Sequence, residues 1–199
     1  MTPAPHSAPM PRLVEGDAVT LALWDPTLTA AMYRLIDRSR PTLSQFLAWA
    51  AEPASPKEQL RVREDALSQW RRGEMAPWAI LEGDDVCGAL GLHRRGGPDE
   101  LEIGYWLDDA ATGRGLMTSA CRLATDVAFT VPGIEFVEIL HDAANVRSAG
   151  VPRRLGFSRI AAFTSAVTAP GESGIKVRWR MSRATWLARG AGSSVRRIE

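Results

Sequence analysis

The sequence predicts an α/β fold, a sheet of mixed strand direction flanked by helices, and three observations carry that expectation. Helical periodicity dominates as far as residue 73, and from Ala76 onward the apolar residues recur at a period of two. Gly83-Asp84-Asp85 between two apolar runs is a hairpin signal, so part of the sheet is antiparallel. Beyond residue 107 helical and strand patterns alternate, which calls for a parallel crossover in the middle of the sheet.

A first strand is expected at residues 19–23. Helical patterns follow at 26–37, 43–50 and 56–73, and Ser55, Pro56 and Glu58 open the third with a capping residue, a proline at its first position and an acid in its first turn. Strands at 78–82 and 86–93 flank the hairpin turn. In 100–107, Leu101, Ile103, Tyr105 and Leu107 alternate with Glu102, Gly104 and Trp106, which makes a strand with two unlike faces. A helix at 115–130 carries Leu116, Ala120, Leu123, Val127 and Ala128 on one stripe. A strand at 136–140, a short helix at 145–155 and strands at 157–163 and 175–181 complete the order. No repeat or linker interrupts this run, so residues 13–188 are expected to form one domain. Residues 1–12, rich in proline, and 189–199, rich in Gly, Ser and Arg, are expected to be flexible tails.

The chain has 199 residues and a formal net charge of +1, with 45% apolar and 24% charged residues. That balance gives no bulk attraction to nucleic acid or an anionic membrane and excludes general disorder. No apolar stretch is long enough to span a bilayer and no secretory signal is visible, so a cytoplasmic location is expected. Arginine supplies 22 of the 24 basic residues; a GC-rich coding sequence explains this without anion recognition. Cys87 and Cys121 both sit in apolar runs and read as buried thiols. No His, Cys or carboxylate spacing suggests a metal site. His93 and His141 follow apolar strand patterns and read as satisfied or surface histidines.

Two segments carry chemistry. In the first, strand 100–107 runs into Gly113-Arg114-Gly115 and a helix starts at once. Glycines let backbone come close to a ligand, and the unpaired N–H groups of a helix's first turn carry partial positive charge, so the pattern suits a pyrophosphate. A tight turn before a core helix gives the same pattern. Neither a P-loop nor a full dinucleotide fingerprint is present. In the second segment, Asn145-Val-Arg-Ser148 opens a helix that Leu155-Gly156-Phe157 closes with a glycine cap. Taken alone, Asn145 and Ser148 are capping residues.

In order and spacing, Gly88-Ala-Leu-Gly-Leu-His93, Glu102-Ile-Gly-Tyr-Trp-Leu107, Gly113-Arg-Gly115-Leu-Met-Thr118 and Asn145-x-x-Ser148 through Leu155-Gly-Phe157 resemble the GCN5-related N-acetyltransferase (GNAT) superfamily, specifically its RimJ/RimL-type branch. The similarity spans residues 13–183. It implies a mostly antiparallel sheet with a central splayed parallel strand pair, and acetyl-CoA as acyl donor with no metal. Leu107, Gly113, Arg114, Gly115, Leu116, Met117 and Asn145 would then bind the donor, the pantetheine arm lying in the splay like a missing strand. Two positions depart from the family pattern. Ala110 stands where Gln or Arg is common, and Pro152 stands where many members carry a catalytic tyrosine.

The resemblance therefore makes Ser148 the candidate acid for the departing thiolate. Glu102 is the candidate base for the amine, acting directly or through water. Trp49 and Trp106 are candidates to line the acceptor pocket. The implied reaction is direct attack by a primary amine in a ternary complex. A protein or peptide α-amino group is the expected acceptor; a small-molecule amine is the rival, and a non-catalytic CoA-binding sensor a third reading. A larger acyl group such as succinyl stays open. The resemblance also implies a homodimer.

Overall fold

The computed structural model describes residues 9–190 and 196–198. Nine strands form one sheet in the order β7-β8-β6-β5-β4-β3-β2-β1-β9. They are β1 (Leu13–Glu15), β2 (Thr20–Leu23), β3 (Met75–Glu82), β4 (Asp85–His93), β5 (Glu100–Leu107), β6 (Phe136–Asp142), β7 (Ser158–Thr164), β8 (Ile175–Ser182) and β9 (Arg196–Ile198). Every neighbouring pair is antiparallel except β5 and β6, which are parallel, as a connection through a helix requires. The expected mixed, mostly antiparallel sheet with one central parallel pair is the one observed.

The helices are α1 (Thr29–Leu43), α2 (Pro56–Arg71), α3 (Leu116–Ala128), α4 (Val146–Leu155) and α5 (Arg183–Ala188). One face of the sheet packs on α3 through Trp78, Ile80, Leu90, Leu92, Leu101 and Ile103. The opposite face packs on α1, whose Met32, Tyr33 and Ile36 meet Ala79, Ala89 and Trp106. The strand alternation read from the sequence thus separates two cores. Leu123, on the α3 stripe, is fully buried, and truncating it to alanine would cost about 2–5 kcal/mol. Ser55 caps α2 as expected, its hydroxyl accepting from Glu58 N at 3.3 Å.

Four differences from the sequence reading have local causes. Residues 26–28 form a 3-10 turn, and α1 then continues past 37 to Leu43 with Pro41 in its last turn. The helix expected at 43–50 is absent; the chain turns, and only Ala48–Ala50 is helical, as a 3-10 turn. The buried Leu43 and Ala50 dock without a helix between them. Strand β1 and helix α5, three and six residues long, are too short to show a period. The N-terminal boundary also moves: Met10 is buried, and Trp70 and Trp78 donate from their indole nitrogens to the carbonyls of Met10 (2.8 Å) and Pro11 (2.9 Å). Of the two expected tails, 1–8, 191–195 and 199 lie outside the described residues, whereas 196–198 pair with β1 as β9.

Candidate active site

The parallel pair is short. Registered pairs run from Glu100↔Phe136 to Ile103↔Ile139 and stop there. Strand β5 nevertheless stays paired to β4 as far as Leu107, and β6 to β8 as far as Asp142. The two strands therefore part, leaving residues 104–107 and 140–142 facing one another across a V with their inner edges unpaired. A bulge between Ile80 and Leu81 adds local twist to the half of the sheet that carries β5. Gly88 lets β4 and β5 approach, since a Cβ there would fall 2.4 Å from the Trp106 carbonyl oxygen. Unpaired backbone in a sheet is a template for another extended chain, and an arm carrying two amides fits it.

At the wide end of the V lies the glycine loop. Gly113 and Gly115 have φ of 77° and 81°, values that L side chains rarely adopt. Gly115 is the N-cap of α3, with no side-chain cap and no acid in the first turn. The helical bonds begin with Ser119 N donating to Gly115 O at 3.0 Å, so the N–H groups of Leu116, Met117 and Thr118 point outward, as first-turn amides do. The Leu116 and Met117 side chains are buried, and only their backbone can serve a ligand. The Arg114 side chain turns to an ion pair with Glu82. Ahead of the loop, Asp108 anchors α1: it accepts from Ser39 Oγ (2.7 Å) and Arg38 Nη2 (2.6 Å). Burial pushes its carboxyl up, but these bonds outweigh that and hold it below the usual range. Asp109 then accepts from Thr42 and lies 3.7 Å from Arg147, spanning the mouth of the V.

The second segment forms the other arm. Asn145 caps α4, its Oδ1 accepting from Ser148 N at 3.0 Å. Ser148 Oγ lies 3.0 Å from the Tyr105 hydroxyl, which also reaches the Ser148 carbonyl at 3.0 Å. Tyr105 belongs to the splayed part of β5, so this contact bridges the V. Burial drives the Tyr105 phenol far above its ordinary value, and it remains a donor. The phenol has one proton: given to the Ser148 carbonyl, it leaves Ser148 Oγ to donate to Tyr105, and given to Ser148 Oγ, it frees the serine proton for a second acceptor. The sequence reading treated Tyr105 only as part of an apolar stripe. The signal it passed over is that a buried tyrosine hydroxyl needs a partner.

On the α1 face, Trp106 and the 54%-exposed Trp49 meet with ring centroids 6.4 Å apart. Next along the strands, Gly91 of β4 pairs with Gly104 of β5, leaving a row without side chains beside the split. Beyond it His93 pairs with Glu102, and Glu102 with Glu138. Glu102 carries an ion pair to Arg95 at 3.1 Å. The result is a trough bordered by tryptophans on one side and carboxylates on the other, its floor at Gly91 and Gly104 covered by the His93 ring. Trp49 meets Trp106 across the α1 face, and Glu102 lies two residues before Gly104 on the same strand. A cavity of about 410 Å³ adjoins the start of α4, lined by Thr42, Gln45, Phe46, Asn145 and Arg147. A second, of about 620 Å³, lies on the α1 side of the glycine loop, against Arg34, Arg38 and Arg114. Among the described residues no cluster of His, Cys, Asp or Glu is placed to hold a metal ion, and no helix is long and apolar enough to cross a membrane.

Comparison with known proteins gives a consistent result. The family model for the acetyltransferase (GNAT) domain matches residues 19–158. YdaF of Bacillus subtilis (strain 168), provisionally named a ribosomal N-acetyltransferase, is 30% identical over 151 residues, 71% of this chain and 79% of that protein. Among solved structures, RimL, a ribosomal-protein α-N-acetyltransferase in complex with coenzyme A, superposes with a TM-score of 0.78 at 22% identity, over 85% of this chain and 97% of that one. Mycobacterium smegmatis RimJ in complex with CoA-disulfide gives 0.73 at 18% identity, over 96% of both chains.

Proposed function

The chain belongs to the GNAT acetyltransferase family, and from that premise we propose that it acetylates the α-amino group of a protein or peptide by direct attack in a ternary complex. It is an acetyl-CoA-dependent N-acetyltransferase; the acceptor and the residue roles are what the proposal adds. The observation that carries them is the V between β5 and β6, with uncapped amides of α3 at its wide end and a polar trough at its narrow end.

Acetyl-CoA supplies an activated thioester carbon. Residues 104–107 and 140–142 offer unpaired backbone to the pantetheine amides, with Leu107 on one arm and Asn145 at the head of the other. The N–H groups of Gly113, Arg114, Gly115, Leu116 and Met117 hold the pyrophosphate, favoured by the positive end of the α3 dipole. Ser148, backed by Tyr105, donates toward the sulfur as the C–S bond breaks. Glu102 lies on the trough side, where the amine enters and gives up its proton. Trp49 and Trp106 wall the entry. The names of the relatives, ribosomal-protein N-acetyltransferases, support a protein acceptor. The homodimer stays within the proposal, supported by β7, an edge strand exposed at all 7 positions.

The test is thiol release from acetyl-CoA over a panel of peptides with varied N-termini and simple primary amines. Saturable turnover of peptides is expected. Turnover of small amines alone would move the acceptor to that class, and CoA binding without any turnover would leave a sensor.

A further inference from the structure

The glycine row beside the split is filled by one side chain. His93 ends β4, and its ring folds back over its own strand and across to β5: a Cβ built on Gly91 would fall 2.2 Å from His93 Nε2, and one on Gly104 would fall 3.7 Å from it. Gly104 is the first position of β5 beyond the last parallel pair, Ile103↔Ile139. The imidazole therefore lies where the strands begin to part, closer to the V than the Glu102 carboxylate one row behind. Among the described residues it has no hydrogen-bond partner, unlike the buried His141, which is held by the Asp142 carbonyl (2.8 Å) and Trp179 Nε1 (2.9 Å).

We propose that His93 is the residue that first receives the proton of the acceptor amine, with Glu102 behind it as the carboxylate that stabilises the imidazolium. This rests on the acetyl-transfer reading above. In the step, the amine lone pair forms the C–N bond and the C–S electrons leave on sulfur. The nitrogen's extra proton passes to His93 Nε2 and on to solvent, while the thiolate takes a proton from the Ser148 side. The charged groups around the ring are Glu102, Arg95 and Glu138. Glu102 is directly across the β4–β5 pair, a position where Cβ atoms lie about 5 Å apart. Arg95, just past the end of β4, pairs with Glu102; Glu138, one strand further, is held by Arg180 and Arg178. Burial, and then Arg95, push the His93 pKa down to about 4, so the ring is neutral at neutral pH.

The test uses the full chain, acetyl-CoA and whichever peptide or amine of the panel the parent acetylates. His93→Ala should lower kcat by ~10²-fold, leave acetyl-CoA affinity unchanged, and recover activity when imidazole is added to the buffer. Gly91→Ala, which evicts the ring while keeping the histidine, should show a similar loss. His93→Gln serves as the variant of closer size, and it should lose kcat without losing thermal stability at pH 7. A His93→Ala enzyme with parental kcat overturns the proposal, as does a loss that imidazole does not restore. A parent that acetylates no amine at all overturns the acetyl-transfer reading itself, a separate result.

Discussion

Replacing Tyr105 by phenylalanine removes one hydroxyl from a contact that joins the two arms of the V. That hydroxyl meets the Ser148 carbonyl and Ser148 Oγ, each at 3.0 Å. A buried hydrogen bond is worth about 0.5–1.5 kcal/mol net, so the two contacts together set a stability loss of about 1–3 kcal/mol. The catalytic consequence is separable. If Tyr105 orients the Ser148 hydroxyl toward sulfur, losing about 1 kcal/mol of orientation lowers kcat about fivefold. Ser148→Ala alone should lower kcat by ~10²-fold, on the scale of general acid effects. The assay is a double-mutant cycle on kcat, measured where chemistry limits the rate, with calorimetric CoA affinity as the control. In the Ser148→Ala background, Tyr105→Phe should change kcat by less than about twofold, because the group it orients is gone. An equal fivefold drop in both backgrounds would refute the orientation, and parental kcat in Ser148→Ala would remove the acid role altogether.

The remaining expectations concern the donor cradle, the trough and the outer loop. Gly115→Ala meets no neighbour but keeps a φ of 81°, so it should cost about 1–2 kcal/mol of strain, whereas Gly115→Glu also puts an anion at the start of α3; calorimetry should show CoA affinity collapsing only in the second, folded variant. Glu102→Gln should slow turnover most at low pH, the loss shrinking as the amine deprotonates itself, with α-amino groups titrating near ~7.7–8.0; a loss constant from pH 6 to 9 would remove Glu102 from the proton path. At the end of β6, burial raises the Asp142 carboxyl, but bonds from Ser173, Ala144 and Gly174 outweigh it and bring it to about 2, while in the β7–β8 loop Lys176 and Thr168 bring Glu172 to about 2. Both are depressed, so their stabilisation is fully present above the ordinary carboxylate range and is lost as pH falls toward 2. Urea unfolding should show that decline in the parent and a shallower one in Asp142→Asn.

Local chemistry made some of the site legible and distance hid the rest. The Gly113–Gly115 turn, the α3 start and the Asn145 cap depend on residues within a turn of one another, and the sequence displays them directly. Strand β5 was readable for the same reason, its two faces written as alternate residues. The bond from Ser39 to Asp108 joins residues 69 apart, and that between Tyr105 and Ser148 joins residues 43 apart; neither has a local signal. The place of the His93 ring has no local signal either, because a histidine at the end of an apolar strand looks the same whether or not a glycine faces it from the neighbouring strand. Only the register Gly91↔Gly104 reveals the space its ring occupies. The segment 43–50 differs for another reason, since Leu43, Phe46, Leu47 and Ala50 have helical spacing yet only Leu43 and Ala50 are buried, and tight turns bring them there.

The central claim is that the donor sits in the V between β5 and β6 with its pyrophosphate on the start of α3. Backbone-amide NMR of the full chain, titrated with CoA, tests it most directly. The account predicts saturable shifts for residues 104–107, 113–118 and 140–145. Shifts confined to Arg34, Arg38 and Asp85 in the cavity on the α1 side of the glycine loop, with residues 113–118 unmoved, would contradict it.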